Sequence, residues 1–145
     1  MIAAEDKNMQ KMIDAAMESS LPLFGFFEYP PGTPGKMNPN VLSVAENIKM
    51  YPDIKEPCDY VEAVKQILQQ RQLNYEFNGK CQSTMIGGKQ ASYQNALLKF
   101  GTLDVTQRYH AMIIDGYAIS FIQTHMDEES HARVDAVLDS IRFNP

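Results

Sequence analysis

The sequence predicts an α+β fold, an α/β/α sandwich with a central antiparallel meander sheet flanked by helices. Three observations predict it. Strand-like segments in the second half of the chain are punctuated by Asn78-Gly79, Gly87-Gly88 and Asp115-Gly116. Asp115-Gly116 is a two-residue loop suited to a type I′ hairpin turn. Three other stretches carry apolar residues at helical spacing.

The first of these is residues 4–19. Met9, Met12, Ile13, Ala16 and Met17 recur at i, i+3, i+4, i+7 and i+8, and charged residues fill most of the rest. Leu21-Pro22 stops the helix, since a residue before proline avoids the α region. Residues 23–29 are aromatic-rich and read as a strand. Residues 30–35, Pro-Pro-Gly-Thr-Pro-Gly, read as a loop, and residues 41–48 as the next strand. A second helix is expected over residues 59–72, capped by Asp59 with Glu62 reaching back in a capping box. Tyr60, Val61, Val64, Ile67 and Leu68 form its apolar face.

The meander follows. Residues 73–77 and 81–86 flank Asn78-Gly79, residues 91–100 follow Gly87-Gly88, and residues 103–114 precede Asp115-Gly116. The last turn sets a register. Ile114 faces Tyr117, Met112 faces Ile119 and His110 faces Phe121 on one side. Ile113 faces Ala118, Ala111 faces Ser120 and Tyr109 faces Ile122 on the other. Both sides are apolar, so helices are expected on both. The final helix is expected over residues 127–142, with acidic residues at its positive end and Val134, Val137, Leu138 and Ile141 as its stripe. Phe143 is expected to pin the tail.

The chain has 145 residues, which fits one domain, 1–145, with an N-terminal helix at 4–19 and a core at 23–143. A net charge of −5 without a Lys/Arg cluster argues against nucleic-acid binding. No apolar run approaches the ~20 residues that span a bilayer. Met1 to Lys7 lacks the basic and apolar regions of a signal peptide, so either the protein is cytoplasmic or the sequence is a mature form. Cys58 and Cys81 cannot complete a Cys-rich zinc site. Two unpaired, half-buried thiols are the favoured reading, and a disulfide is the alternative.

No motif supports catalysis. Gly87-Gly88-Lys89 lacks the second glycine spacing and the Ser/Thr of a phosphate loop and reads as a turn. His125 and His131 bracket three acidic residues, but their spacing matches no zinc motif, and a solvated helix start is the better reading. His110 lies mid-strand and suits packing or hydrogen bonding. No nucleophile elbow occurs, and neither cysteine has an evident His or Asn partner. No catalytic residue, cofactor or metal ligand is therefore assigned. Phe24, Phe26, Phe27, Tyr29 and Tyr51 form an aromatic group, for which core packing is the favoured reading. Tyr29, Tyr51, Asn38 and Asn40, at or beside the loop at 30–40, are the candidate partner-binding residues.

Several segments in a fixed order carry a family resemblance. They are Asn38-Pro39-Asn40-Val41, Val44-Ala45-Glu46-Asn47, Asp59-Tyr60, Ile86-Gly87-Gly88, Gln107-Arg108-Tyr109, Asp115-Gly116-Tyr117-Ala118 and Leu138-Asp139-Ser140-Ile141-Arg142-Phe143. Over residues 23–143 the chain resembles the PsbP-like proteins, including bacterial lipoproteins of the DcrB type. The resemblance implies an α/β/α sandwich, shared with a Ran-binding nuclear import factor. Plant members are extrinsic photosystem II subunits, and certain bacterial relatives are type VI secretion chaperones. It implies no shared catalytic motif, and this chain has no lipobox.

The expected function is a non-enzymatic binding or accessory module acting through protein contacts at the bacterial cell envelope. It would be extracytoplasmic, secreted or lipid-anchored, with another protein as partner and a homodimer left open. A cytoplasmic adaptor or secretion chaperone is the first alternative. A hydrolase with a spatially assembled site is the second.

Overall fold

The computed structural model describes residues 20–30, 32–34, 38–70, 75–100 and 102–144. The helix expected at residues 4–19 lies outside them. Six strands are present: β1 (Ser20–Phe27), β2 (Asn40–Asn47), β3 (Tyr75–Ile86), β4 (Lys89–Phe100), β5 (Leu103–Ile114) and β6 (Tyr117–His125). Two helices accompany them, α1 (Pro57–Gln70) and α2 (Glu128–Asp139). The strands form one sheet in the order β1-β2-β6-β5-β4-β3, and every neighbouring pair is antiparallel. The α+β meander is as expected.

The β5–β6 hairpin has the expected register, pair by pair from Ile114↔Tyr117 to Tyr109↔Ile122. Asp115 and Gly116 have φ of 50° and 79°, the left-handed pair that a type I′ turn requires. Alternation from this register divides the core in two. Ala111, Ala118 and Ile113 pack with Tyr60, Val61 and Val64 of α1. Met112, Phe121 and Ile119 pack on the opposite face with Leu138, Ile141 and Phe143 at the end of the chain. The two helices cover different halves as well as different faces. α1 lies over β3, β4 and β5, and α2 over β6 and β2.

Four local expectations are corrected. First, Asn78-Gly79 does not join two strands. β3 runs through it with a bulge between Asn78 and Gln82, Gly79 taking a φ of 70°. The Gln94 side chain donates to the Gly79 carbonyl, so β4 holds both parts of the strand.

Second, Asp59 is not the cap of α1. The helix begins at Pro57, where the missing N–H costs nothing. Asp59 sits in the first turn, and its carboxylate accepts from the Lys55 and Glu56 N–H groups, both at 3.0 Å. Those two hydrogen bonds hold its pKa below the usual carboxylate value.

Third, α2 stops at Asp139 rather than Arg142. Ser140 Oγ donates to Val137 O, and Arg142 donates to Asp139 O, so side chains satisfy the last carbonyls. Ile141 and Phe143 then turn back into the core. A Cβ on Gly87 would meet the Phe143 ring at 2.7 Å, which shows how closely the tail closes on the β3–β4 turn.

Fourth, Phe24, Phe26 and Phe27 are not core residues. They lie on the outermost strand and are each about 40% exposed (41%, 42% and 38%).

Candidate binding surfaces

β1 consists of Ser-Leu-Pro-Leu-Phe-Gly-Phe-Phe, with no charge in eight residues. Leu21 is 61% exposed and Leu23 46%, in line with the three phenylalanines. Its backbone is half committed. Glu28 N–H donates to Pro39 O, continuing the β1–β2 register, so Phe24 and Phe26 turn their peptide groups toward β2. Gly25 and Phe27 turn theirs to the other edge, along which no strand pairs among the described residues. Pro22 and the register shift beside it interrupt the other half of that edge.

The loop leaving β1 is closed by a reciprocal clamp. Tyr29 N–H donates to Asn38 Oδ1 at 2.9 Å, and Asn38 Nδ2 donates to Tyr29 O at 2.7 Å. Asn40 Nδ2 donates to Asn38 O at 2.8 Å. Asn38 and Asn40 thus shape the loop, and Tyr29 stands at its base. Tyr51 is half exposed, but it follows the far end of β2, where its N–H donates to Ile48 O. The four candidates therefore form one cluster of three at the β1–β2 connection and one residue at the opposite end of the sheet.

Cys58 and Cys81 are joined in a disulfide, with Cα atoms 5.8 Å apart, so the reading of two free thiols is overturned. Their pairing is spatial: the first turn of α1 lies on the bulge of β3. The staple forms one wall of a cleft of about 690 Å3 between the start of α1 and the hairpin turns. Lys55, Ser83, Lys89, Ser92 and Ile113 line it too. Its charges are mixed, because Glu56 and Asp115 stand beside the lysines. A second, apolar cavity of about 190 Å3 lies under α1 between Val44, Tyr60, Tyr109 and Ile122. The Tyr60 hydroxyl donates to Glu46 Oε2 at 2.7 Å, and burial pushes its pKa up.

Beneath α2, where the sequence predicts a solvated helix start, is a polar network. His125 and His131 stack with ring centroids 4.0 Å apart and planes 7° from parallel. His131 Nε2 lies 3.1 Å from Asp135 Oδ2, although not aligned as a hydrogen bond. Asp135 Oδ1 accepts from Gln123 Nε2 at 2.9 Å. Asp127 caps the helix: its carboxylate accepts from Ser130 N–H at 2.7 Å, and Ser130 Oγ accepts from Asp127 N–H at 3.2 Å. Arg133 pairs with Glu28 at 2.6 Å, tying α2 to the end of β1. His125 is 8% exposed, and burial, with His131 and Arg108 nearby, lowers its pKa to about 4. His110, 4% exposed beside Phe121 O, is lowered to about 4 chiefly by burial. Gln123 Oε1, His125 Nε2 and Ser43 Oγ are buried without hydrogen-bond partners. The fold brings His125 and His131 together, yet no group of three or more His, Cys, Asp or Glu is set to hold a metal among the described residues. No helix among them is long and apolar enough to cross a membrane.

No family model matches the chain, and no curated protein matches it significantly. Solved structures do resemble it. A Pseudomonas aeruginosa protein of unknown function, PA94, has a TM-score of 0.53 at 13% identity, over 84% of this chain and 83% of that one. LpqN of Mycobacterium tuberculosis, described as involved in cell envelope biogenesis, has a TM-score of 0.50 at 15% identity, over 88% of this chain and 80% of that one. At these identities the likeness is one of fold.

Proposed function

We propose that the protein is a non-enzymatic accessory module of the bacterial cell envelope, a PsbP-like protein that works by holding another protein. The observation that carries this reading is β1. An uncharged edge strand that exposes five large apolar side chains is an aggregation hazard when bare and a docking strand when matched. The extended segment of a partner would take the Gly25 and Phe27 peptide groups, and its side chains would lie against Phe24, Phe26 and Leu21. The Asn38 clamp ties Tyr29 to the start of β2 beside that contact.

Two further observations support the envelope. A disulfide suits an oxidising compartment. One protein of similar fold is described as involved in cell envelope biogenesis.

The test is photo-crosslinking in cells expressing the intact protein with a crosslinking amino acid at Phe26 or, as control, at Ile67 of α1. One discrete adduct in the envelope fraction, specific to position 26 and abolished by Leu21→Lys, is the expected result. Equal labelling at both positions, or recovery only from the cytoplasm, would overturn the proposal.

A further inference from the structure

We propose that Arg108 is the centre of a binding site for a small oxyanion, a carboxylate or a phosphate group, on the open strip of sheet beside α2. This goes beyond the proposed function and uses a different part of the molecule from β1.

Arg108 lies on β5 in the middle of the sheet, half buried, directly opposite Asn95 on β4 and Gln123 on β6. Its guanidinium is held in two ways. Nε donates to Asn95 Oδ1 at 2.7 Å, and the guanidinium carbon lies 4.8 Å from the centre of the Tyr93 ring. Tyr93 is itself held, since its hydroxyl donates to Gln82 Oε1 at 3.0 Å. The guanidinium plane is thus fixed before any ligand arrives, which is the preorganisation that bidentate recognition needs.

Among the described residues the two Nη groups have no such commitment. No carboxylate lies within ion-pair distance of Arg108 among the described residues, where Arg133 on α2 has two. Asp135, the acid of α2 that faces this strip, accepts from Gln123 and lies against His131. A half-buried cation without a counter-ion is costly, and an oxyanion in the Nη fork removes that cost. The field here is mixed rather than uniformly positive. His110 on β5 and His125 on β6 both feel the Arg108 charge, and the acidic groups acting on them are Asp135 and Asp127. Because α2 lies over β6 and β2, no helix among the described residues lies over the Tyr93–Arg108 strip on this face.

The experiment is an NMR titration of the intact, oxidised protein with sodium phosphate and, separately, sodium acetate, at ionic strength held constant with sodium chloride. Saturable shifts of the Arg108 Nε–H and Tyr93 ring signals are expected, at least tenfold weaker in Arg108→Gln. The His110 and His125 titration midpoints should rise when the site is filled, because a bound anion offsets the Arg108 charge; a purely structural arginine would not produce that. Saturation by phosphate alone assigns a phosphate ligand, and by acetate alone a carboxylate. Should Arg108→Gln fail to fold, Asn95→Ala frees Nε and is expected to weaken binding severalfold. Shifts no larger than those from chloride, or unchanged by both variants, would overturn the proposal. Loss of the β1 crosslink leaves this outcome untouched, so the two readings fail separately.

Discussion

The two halves of the sheet are held by different means. At the β3 edge the strand bulges, carries Glu76 and Lys80, and is covalently stapled through Cys81 to the helix that covers it. Glu76 also pairs with Lys99 on the neighbouring strand. Charge, bulge and covering helix are the usual protections of an edge. At the β1 edge there is no charge in the strand, and the nearby helix α2 is held by apolar packing of Leu138, hydrogen bonds and ion pairs, with no covalent bridge. One edge is closed by a covalent bridge that protonation does not break. The other has no pairing strand among the described residues and lies beside a helix whose attachment contains two stacked imidazoles. If β1 is the docking strand proposed above, the β3 half carries stability and the β1 half recognition.

At neutral pH the largest expected effect comes from cutting the staple. Reduction, or Cys58→Ser with Cys81→Ser, should cost about 3 kcal/mol by the loop-closure argument for a bridge spanning 23 residues. Denaturant unfolding measures the total, and hydrogen exchange locates it. If the halves are separate, protection falls first in α1 and β3, while the β2–β6 ladder keeps its own. Uniform loss would show that the staple holds the whole sheet.

Acid should act on the other half. His110 and His125 have pKa values lowered to about 4 in the fold against 6.5 when unfolded. Between those values the unfolded chain binds more protons, so stability is full above about pH 6.5 and is lost as pH falls toward 4. Each histidine can contribute up to about 3 kcal/mol of that loss. Stability measured against pH should decline across this window, and His125→Asn should flatten part of it. A profile unchanged by that variant would remove His125 from the account.

Much of this was legible in the sequence, and the limits have physical causes. The β5–β6 hairpin was readable residue by residue because turn chemistry is local: only a pair tolerant of positive φ fits between two strands in that register. The edge position of β1 was not readable. Leu21 to Phe27 is an apolar run, and such a run looks the same whether the strand is buried or outermost. The Cys58–Cys81 pairing was hidden because it depends on where α1 crosses β3. The His125–His131 stack was hidden for a similar reason. Met126 and Asp127 turn the chain so that the last residue of a strand meets the first turn of a helix. Solvated charge at a helix start is the ordinary expectation there, and only the geometry overrides it. Of the candidate binding residues, Asn38 was noticed for its place in a loop, while its clamp on Tyr29 needed the backbone of both.

A smaller effect tests how α2 is seated. Asp127→Ala removes the cap acceptor for Ser130 N–H and should cost about 1 kcal/mol. Because Asp127 is among the acids that raise the His125 pKa, the variant should also move the His125 midpoint slightly lower. Thermal unfolding at pH 7 measures the cap, and an NMR titration of His125 measures the second effect.

The smallest effect on stability is the one that matters most for function. Phe26 lies on an exposed strand, and its peptide groups face β2 whatever its side chain is. Phe26→Lys should therefore change stability by no more than about 0.5 kcal/mol, the usual range for a surface site. The same lysine places a charge on an edge that otherwise has none, which is how edge strands are kept from pairing. Partner recovery should fall while the melting temperature stays, and the purified protein should become less prone to self-association at high concentration. A matched lysine on the protected edge, Thr84→Lys on β3, should leave both unchanged. If the two lysines behave alike, the contrast between the edges is one of composition only; if Phe26→Lys alone abolishes recovery, β1 is the surface through which the protein works.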